Sequence, residues 1–166
     1  MNLNDLKKII PQIFIQVKSD VKQIIGKHRA GLSLGLAKLG IKNGNFIGGL
    51  FFYPGTEIIM NVDPILILMS SQPEYIVKAY VYHILLHEYI HSLGLLDEYQ
   101  CRKLVLEISK RIFKDDHHPI IKIALEGIGI YLPNLQMLYI PPMRKTEGLI
   151  IEYLSNFDEH GLTYYS

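Results

Sequence analysis

The 166-residue chain has a single cysteine, Cys101, and no tryptophan. One cysteine excludes an internal disulfide framework, and a reducing compartment is the natural expectation. An excess of either charge is also lacking. Lys and Arg number 17 against 16 Asp and Glu, a formal net charge of +1, with the two signs mixed along the chain. No broad basic face is left for nucleic acid or an anionic membrane, and no Lys/Arg cluster carries interleaved aromatics. No uncharged apolar run reaches the ~18 residues that a membrane span needs. The opening "MNLNDLKKIIPQIFIQVKSD" has neither an unbroken apolar core nor a small-residue cleavage site, so no signal peptide is expected. Repeats, low-complexity stretches and linkers are missing too. The expectation is one soluble, cytoplasmic domain covering residues 1–166.

Nearly half the residues are apolar and 20% are charged, a globular composition. Apolar residues at 10, 14, 17, 21 and 24 form a helical stripe, with Pro11 suited to the first turn and Gly26 to the end. "AGLSLGLAKLG" alternates like a strand, and "FIGGLFFYPGTEIIMNVD" reads as two strands joined near "PGT". In "SSQPEYIVKAYVYHILLHEYIHSLG", Ser71 and Glu74 have capping-box spacing, Pro73 fits a first turn and Gly94 a C-terminal stop. Further helices are expected over Asp97–Phe113, over "PIIKIALEGIGIY" and over "TEGLIIEYLSNF", with "LPNLQMLYIPPM" as an irregular turn. Strands precede helices, which points to an α+β fold with a small twisted sheet packed on helices.

The chemistry concentrates in "HILLHEYIHSLGLLDE", residues 83–98. His87 and His91 are four apart, about 40° from each other round a helix and one turn above the other. Two imidazoles on one rigid face can share a Zn²⁺. Glu88, one step round, can lean over a water at the metal as general base. The five residues match H-E-x-x-H on an expected helix. Alone that pattern arises by chance in about one chain in sixty. Gly94 and Asp97, continuing it as H-x-x-G-x-x-D, cut that to about one in ten thousand. Gly94 can take positive φ and reverse the chain. Asp97 can then reach the same metal as third ligand, which leaves a fourth position open for water. Asp97 can instead cap the next helix, in which case Glu98 or Glu126 becomes the alternative ligand. His83 extends the four-residue series but reads as a packed neighbour. "DDHHP" at 115–119 reads as a solvated connection and Cys101 as structural.

The stretch from His87 to Asp97 resembles the zinc signature of metzincin metallopeptidases, within the zincin superfamily, in the variant with aspartate as third ligand. The resemblance covers about eleven residues. It implies zinc on His87, His91 and Asp97, Glu88 as catalytic base, and a methionine turn beneath the metal. Met137 in "LQMLYIPP" stands where that turn is expected, although Leu135 and Gln136 precede it where the family often has a small residue; Met143 is the alternative. Tyr139, two residues after Met137, is implied as a second catalytic group that steadies the oxyanion. The implied fold makes "GLFFYPGTEIIMNV" an edge strand above the cleft, to which an extended peptide adds. The expected activity is zinc-dependent peptide hydrolysis, with a peptide or small protein as substrate. The alternatives are a degenerate zincin-like module that binds zinc and a protein or peptide partner without cleaving it, and a metal-free helical scaffold.

Overall fold

A computed structural model describes residues 1–145 and 148–158. It is an α+β fold of five α-helices and a small mixed sheet. Helix α1 (Leu3–Ile25) opens on a capping box. Asn2 Oδ1 accepts from the Asp5 N–H at 2.8 Å, Asp5 Oδ2 accepts from the Asn2 N–H at 3.3 Å, and Gly26 closes the helix at φ +70°. Pro11 therefore lies inside the helix, not in its first turn. An interior proline deletes one backbone hydrogen bond at a cost of about 3 kcal/mol. The apolar stripe Leu6, Ile10, Phe14, Val17 and Val21, fully buried on both sides of Pro11, offsets that cost.

Strands β1 (Ser33–Ala37), β2 (Ile41–Lys42), β3 (Gly49–Phe51) and β4 (Glu57–Asn61) follow. β1 and β4 pair in parallel, Leu34 opposite Ile58 and Leu36 opposite Met60, and β3 pairs antiparallel to β4. At the end of β4, Asn61 is fully buried with both ends of its amide in use. Its Nδ2 donates to the carbonyls of Gly40 and Ile47, and its Oδ1 accepts from the N–H groups of Leu39 and Asp63. One side chain thus ties two loops to the start of α2 (Val62–Ser71). Helix α2 has no counterpart in the sequence expectations, because "VDPILIL" is apolar on every side and shows no periodicity.

Helix α3 (Glu74–Ser92) is the centre of the molecule, with α1, α2, α5 and β3 against it. It has buried positions all round, from Ile76 to Ser92. The expected capping box is not formed: Ser71 Oγ donates back to the Ile67 carbonyl within α2, and Pro73 occupies the cap. Gly94 takes φ +102°, as its place after the helix suggested. α4 (Glu98–Phe113) and α5 (Pro119–Glu126) come next, the latter followed by 3-10 turns at Ile128–Tyr131 and Leu135–Met137.

Four two-residue strands follow: β5 (Tyr139–Ile140), β6 (Arg144–Lys145), β7 (Gly148–Leu149) and β8 (Glu152–Tyr153). Of the final helix expected over 146–157, residues 146 and 147 lie outside the described residues, and the remainder is not helical. Gly148 has φ +130°, which no helix accommodates, and β8 pairs with β1 instead. Phe157 stacks on Phe14 with ring centroids 4.3 Å apart, and Asp158 ion-pairs with Lys18 and accepts from the Leu32 N–H. The main sheet runs β3-β4-β1-β8, so among the described residues β3 is an edge strand paired on one side only. Among the described residues no helix is long and apolar enough to cross a membrane.

Candidate metal centre

α3 presents His87 and His91 on one face with their Nε2 atoms 3.1 Å apart. The second component comes from the chain reversal. After Gly94 the backbone turns so that the Leu95 carbonyl lies 2.8 Å from His91 Nδ1. A carbonyl only accepts, so Nδ1 carries the hydrogen and Nε2 of the neutral ring presents a lone pair. α4 then starts on the Asp97 cap, with Asp97 Oδ2 accepting from the Gln100 N–H at 2.8 Å. The next residue, Glu98, sends its carboxylate between the imidazoles: Oε1 is 2.6 Å from His91 Nε2 and Oε2 is 3.2 Å from His87 Nε2.

The donor set fits a metal ion. Two imidazole nitrogens and a carboxylate converge on one point, and His91 is already held in the tautomer that a ligand needs. A tetrahedral zinc with ligands at ~2.0–2.1 Å spaces its donors about 3.3 Å apart. The separations of 3.1 and 3.2 Å lie close to that. The closer Glu98 oxygen opens by rotation, because that side chain is 59% exposed. Burial alone raises the Glu98 carboxyl, but the two imidazoles more than offset it and hold it below its usual range. Burial lowers His87, partly countered by Glu98.

Cys101 is one turn beyond Glu98 on α4. Its Sγ lies within 4.8 Å of the ligand atoms of His87 and His91, and it donates to the His87 carbonyl at 3.5 Å. Burial pushes the thiol up to about 12, which keeps it protonated.

Glu88 is only 4% exposed. Burial raises its carboxyl to about 7, with His91 pulling the other way. It lies beneath the edge strand: a Cβ built on Gly49 would come within 3.0 Å of Glu88 Cγ and 3.2 Å of its Oε2. His83, one turn before His87, has a buried Nδ1 with no partner among the described residues, and burial lowers it to about 4, so it is neutral. His83, His87, Glu88 and Glu98 line one cleft of about 630 Å³, walled by β3 on one side and by Arg102 of α4 and Ile123 of α5 on the other. That volume suits a ligand site.

The structure does not bring every expected residue here. The Asp97 carboxylate is engaged as a helix cap, and Glu98 stands at the histidines instead. The Met-turn expectation needs correction. Met137 is 82% exposed on a 3-10 turn, Met143 is also exposed, and neither lines the cleft. Tyr139 is 66% exposed in β5, where pairing with β2 places it in a separate groove beside Ile41 and Pro142. The β2–β5 ladder, formed between segments about a hundred residues apart, draws the turn away from the histidines. Glu126, at the end of α5, does not line the cleft either. Sequence reasoning missed the Leu95 carbonyl, the close approach of Gly49 and the position of Arg102. Of these, only the "GG" before "LFF" carried a local signal.

No protein-family model, no curated protein and no solved structure matches this chain.

Proposed function

We propose that the chain is a zinc-dependent hydrolase acting on peptide bonds, with a zincin-like fold in which His87, His91 and Glu98 hold the metal. The observation that carries this is the convergence of two helix-borne imidazoles and one carboxylate beside a buried second carboxylate in an open cleft. A zinc ion held there supplies a Lewis acid that polarises a carbonyl and acidifies a water. Glu88, whose carboxyl lies near neutrality, takes the water's proton and passes it to the departing amine. The Leu95 carbonyl keeps His91 in one tautomer. β3 offers unpaired edge backbone to an extended peptide directly above Glu88. Glu98 in place of Asp97 moves the resemblance from the metzincin variant toward zincins that take a glutamate from a following helix.

Tyr139 lying away from the cleft favours a second reading, a zinc-stabilised module that binds a peptide partner without cleaving it. Incubation of the zinc-loaded chain with a peptide library separates the two. Under the hydrolase reading turnover stops on chelation, returns with zinc, and is abolished in Glu88→Gln although that variant still binds stoichiometric zinc. Stoichiometric zinc with no turnover would favour the module, and normal cleavage by Glu88→Gln would overturn the mechanism.

A further inference from the structure

The cleft extends past the histidines toward His83, and its charge there is uneven. Arg102 is the one cation among the described residues that line it. It stands on α4 one turn beyond Glu98, lining the same cleft as His83 and His87. Its anionic partner among the described residues is Glu98, with Nε 3.7 Å from Oε2. That distance is long for a hydrogen bond, so the guanidinium fork is not engaged bidentately. A Glu98 committed to a metal has less charge to share with it. The walls beside Arg102 are apolar, formed by Val105, Ile123 and Leu125, and a peptide filling the cleft would exclude water there. In such surroundings an ion pair with a fork-shaped donor is stronger than on an open surface.

We propose that Arg102 is the specificity determinant of this cleft and that it binds a carboxylate of the peptide ligand. This rests on the cleft being a peptide site, as in the proposed function, but not on cleavage. The carboxylate comes either from an acidic side chain within the peptide or from the peptide's own C-terminus; both present the same planar pair of oxygens. Arg102 is exposed and carries no buried contact that the fold needs, so its replacement leaves the structure intact.

The test uses the full-length Glu88→Gln protein loaded with zinc, so that binding is read without turnover. Three labelled peptides of equal length are compared by fluorescence anisotropy: one with an internal glutamate and an amidated end, one with neutral side chains and a free carboxylate, and one neutral and amidated. At least one of the first two binds about 10-fold more tightly than the third, as a single charge-assisted pair allows, and which of them does so identifies the source of the carboxylate. Adding Arg102→Gln removes that preference, and Arg102→Lys keeps part of it. If Arg102 merely steadied Glu98, Arg102→Gln would weaken zinc binding and leave the preference unchanged, which overturns the proposal. Equal binding of all three peptides overturns it too. A protein that shows the preference while the wild-type chain cleaves nothing retains this inference and loses the hydrolase. Cleavage without the preference does the reverse.

Discussion

Asp97 and Glu98 are adjacent acidic residues with opposite expected roles, and replacing each with alanine separates them. Asp97→Ala deletes the cap on Gln100 N–H. An N-cap loss costs about 1 kcal/mol, which lowers Tm by about 2–4 °C in a chain of this size. Zinc affinity stays unchanged. Glu98→Ala does the opposite. Its side chain is exposed, so its contacts with the imidazoles contribute under about 1 kcal/mol without metal, and the Tm in chelator barely moves. Loss of an outer-shell partner already costs metal affinity about 10–100-fold, and loss of a direct ligand reaches at least the upper end of that range. With free zinc at about 100 times the wild-type Kd, binding stabilises the wild type by about 2.7 kcal/mol. A 100-fold weaker site retains about 0.4 kcal/mol of that, so the zinc-induced rise in Tm shrinks by about 5–9 °C. Thermal denaturation with chelator and with zinc, together with a competitive-chelator titration, reads both effects. If Asp97→Ala lost the zinc response and Glu98→Ala kept it, the assignment of the third ligand would be wrong.

Three further outcomes follow from the geometry. Tyr139→Phe is expected to leave kcat/KM of zinc-dependent peptide cleavage unchanged, because the ring lies in another groove; a loss beyond 10-fold, about 1.4 kcal/mol of transition-state stabilisation, would show that it reaches the site. Gly49→Ala places a methyl group 3.0 Å from Glu88 Cγ and from Ile84 Cγ2, so Glu88 must move by a few tenths of an ångström; kcat is expected to fall while zinc stoichiometry holds, and an unchanged kcat would argue against Glu88 as base. Asp20 is buried, accepts from Tyr82 and Gln16, and has its carboxyl raised by burial. The native state therefore binds this proton more tightly than the unfolded chain does, and stability falls as pH rises from the usual carboxylate range through the raised value. Asp20→Asn is expected to flatten that fall in urea titrations across the window; identical slopes would contradict the burial argument.

How much of this was legible in the sequence depended on whether a feature is local. The positive φ of Gly94, the strands around "PGT" and the start of α4 after Asp97 follow from residues within a few positions of each other. The grouping of His87, Glu88 and His91 follows from helical spacing alone. The starts of helices were read less well. Pro11 drew the start of α1 inward although Asn2 and Asp5 held the capping box, and Ser71 and Glu74 had box spacing without forming one. Periodicity cannot show α2 or the full burial of α3, because both are apolar on several faces. The final segment has helix-like apolar spacing, yet β8 satisfies the open edge of β1, a partner more than a hundred residues away. The same holds at the site. The sequence favours Asp97 as third ligand with Glu98 as the alternative, and only the phase of α4 after its cap aims the second of them at the imidazoles. Met137 and Tyr139 rested on resemblance, and their placement was decided by the β2–β5 ladder.

The most direct test is a crystal structure of the chain grown with zinc. The account requires one ion bonded to His87 Nε2, His91 Nε2 and a Glu98 carboxylate oxygen at about 2.0–2.2 Å, with the Leu95 carbonyl still on His91 Nδ1 and Glu88 facing the open position without binding the metal. An ion held by Asp97, a shell closed by the sulfur of Cys101, or no ion between the two histidines would contradict it.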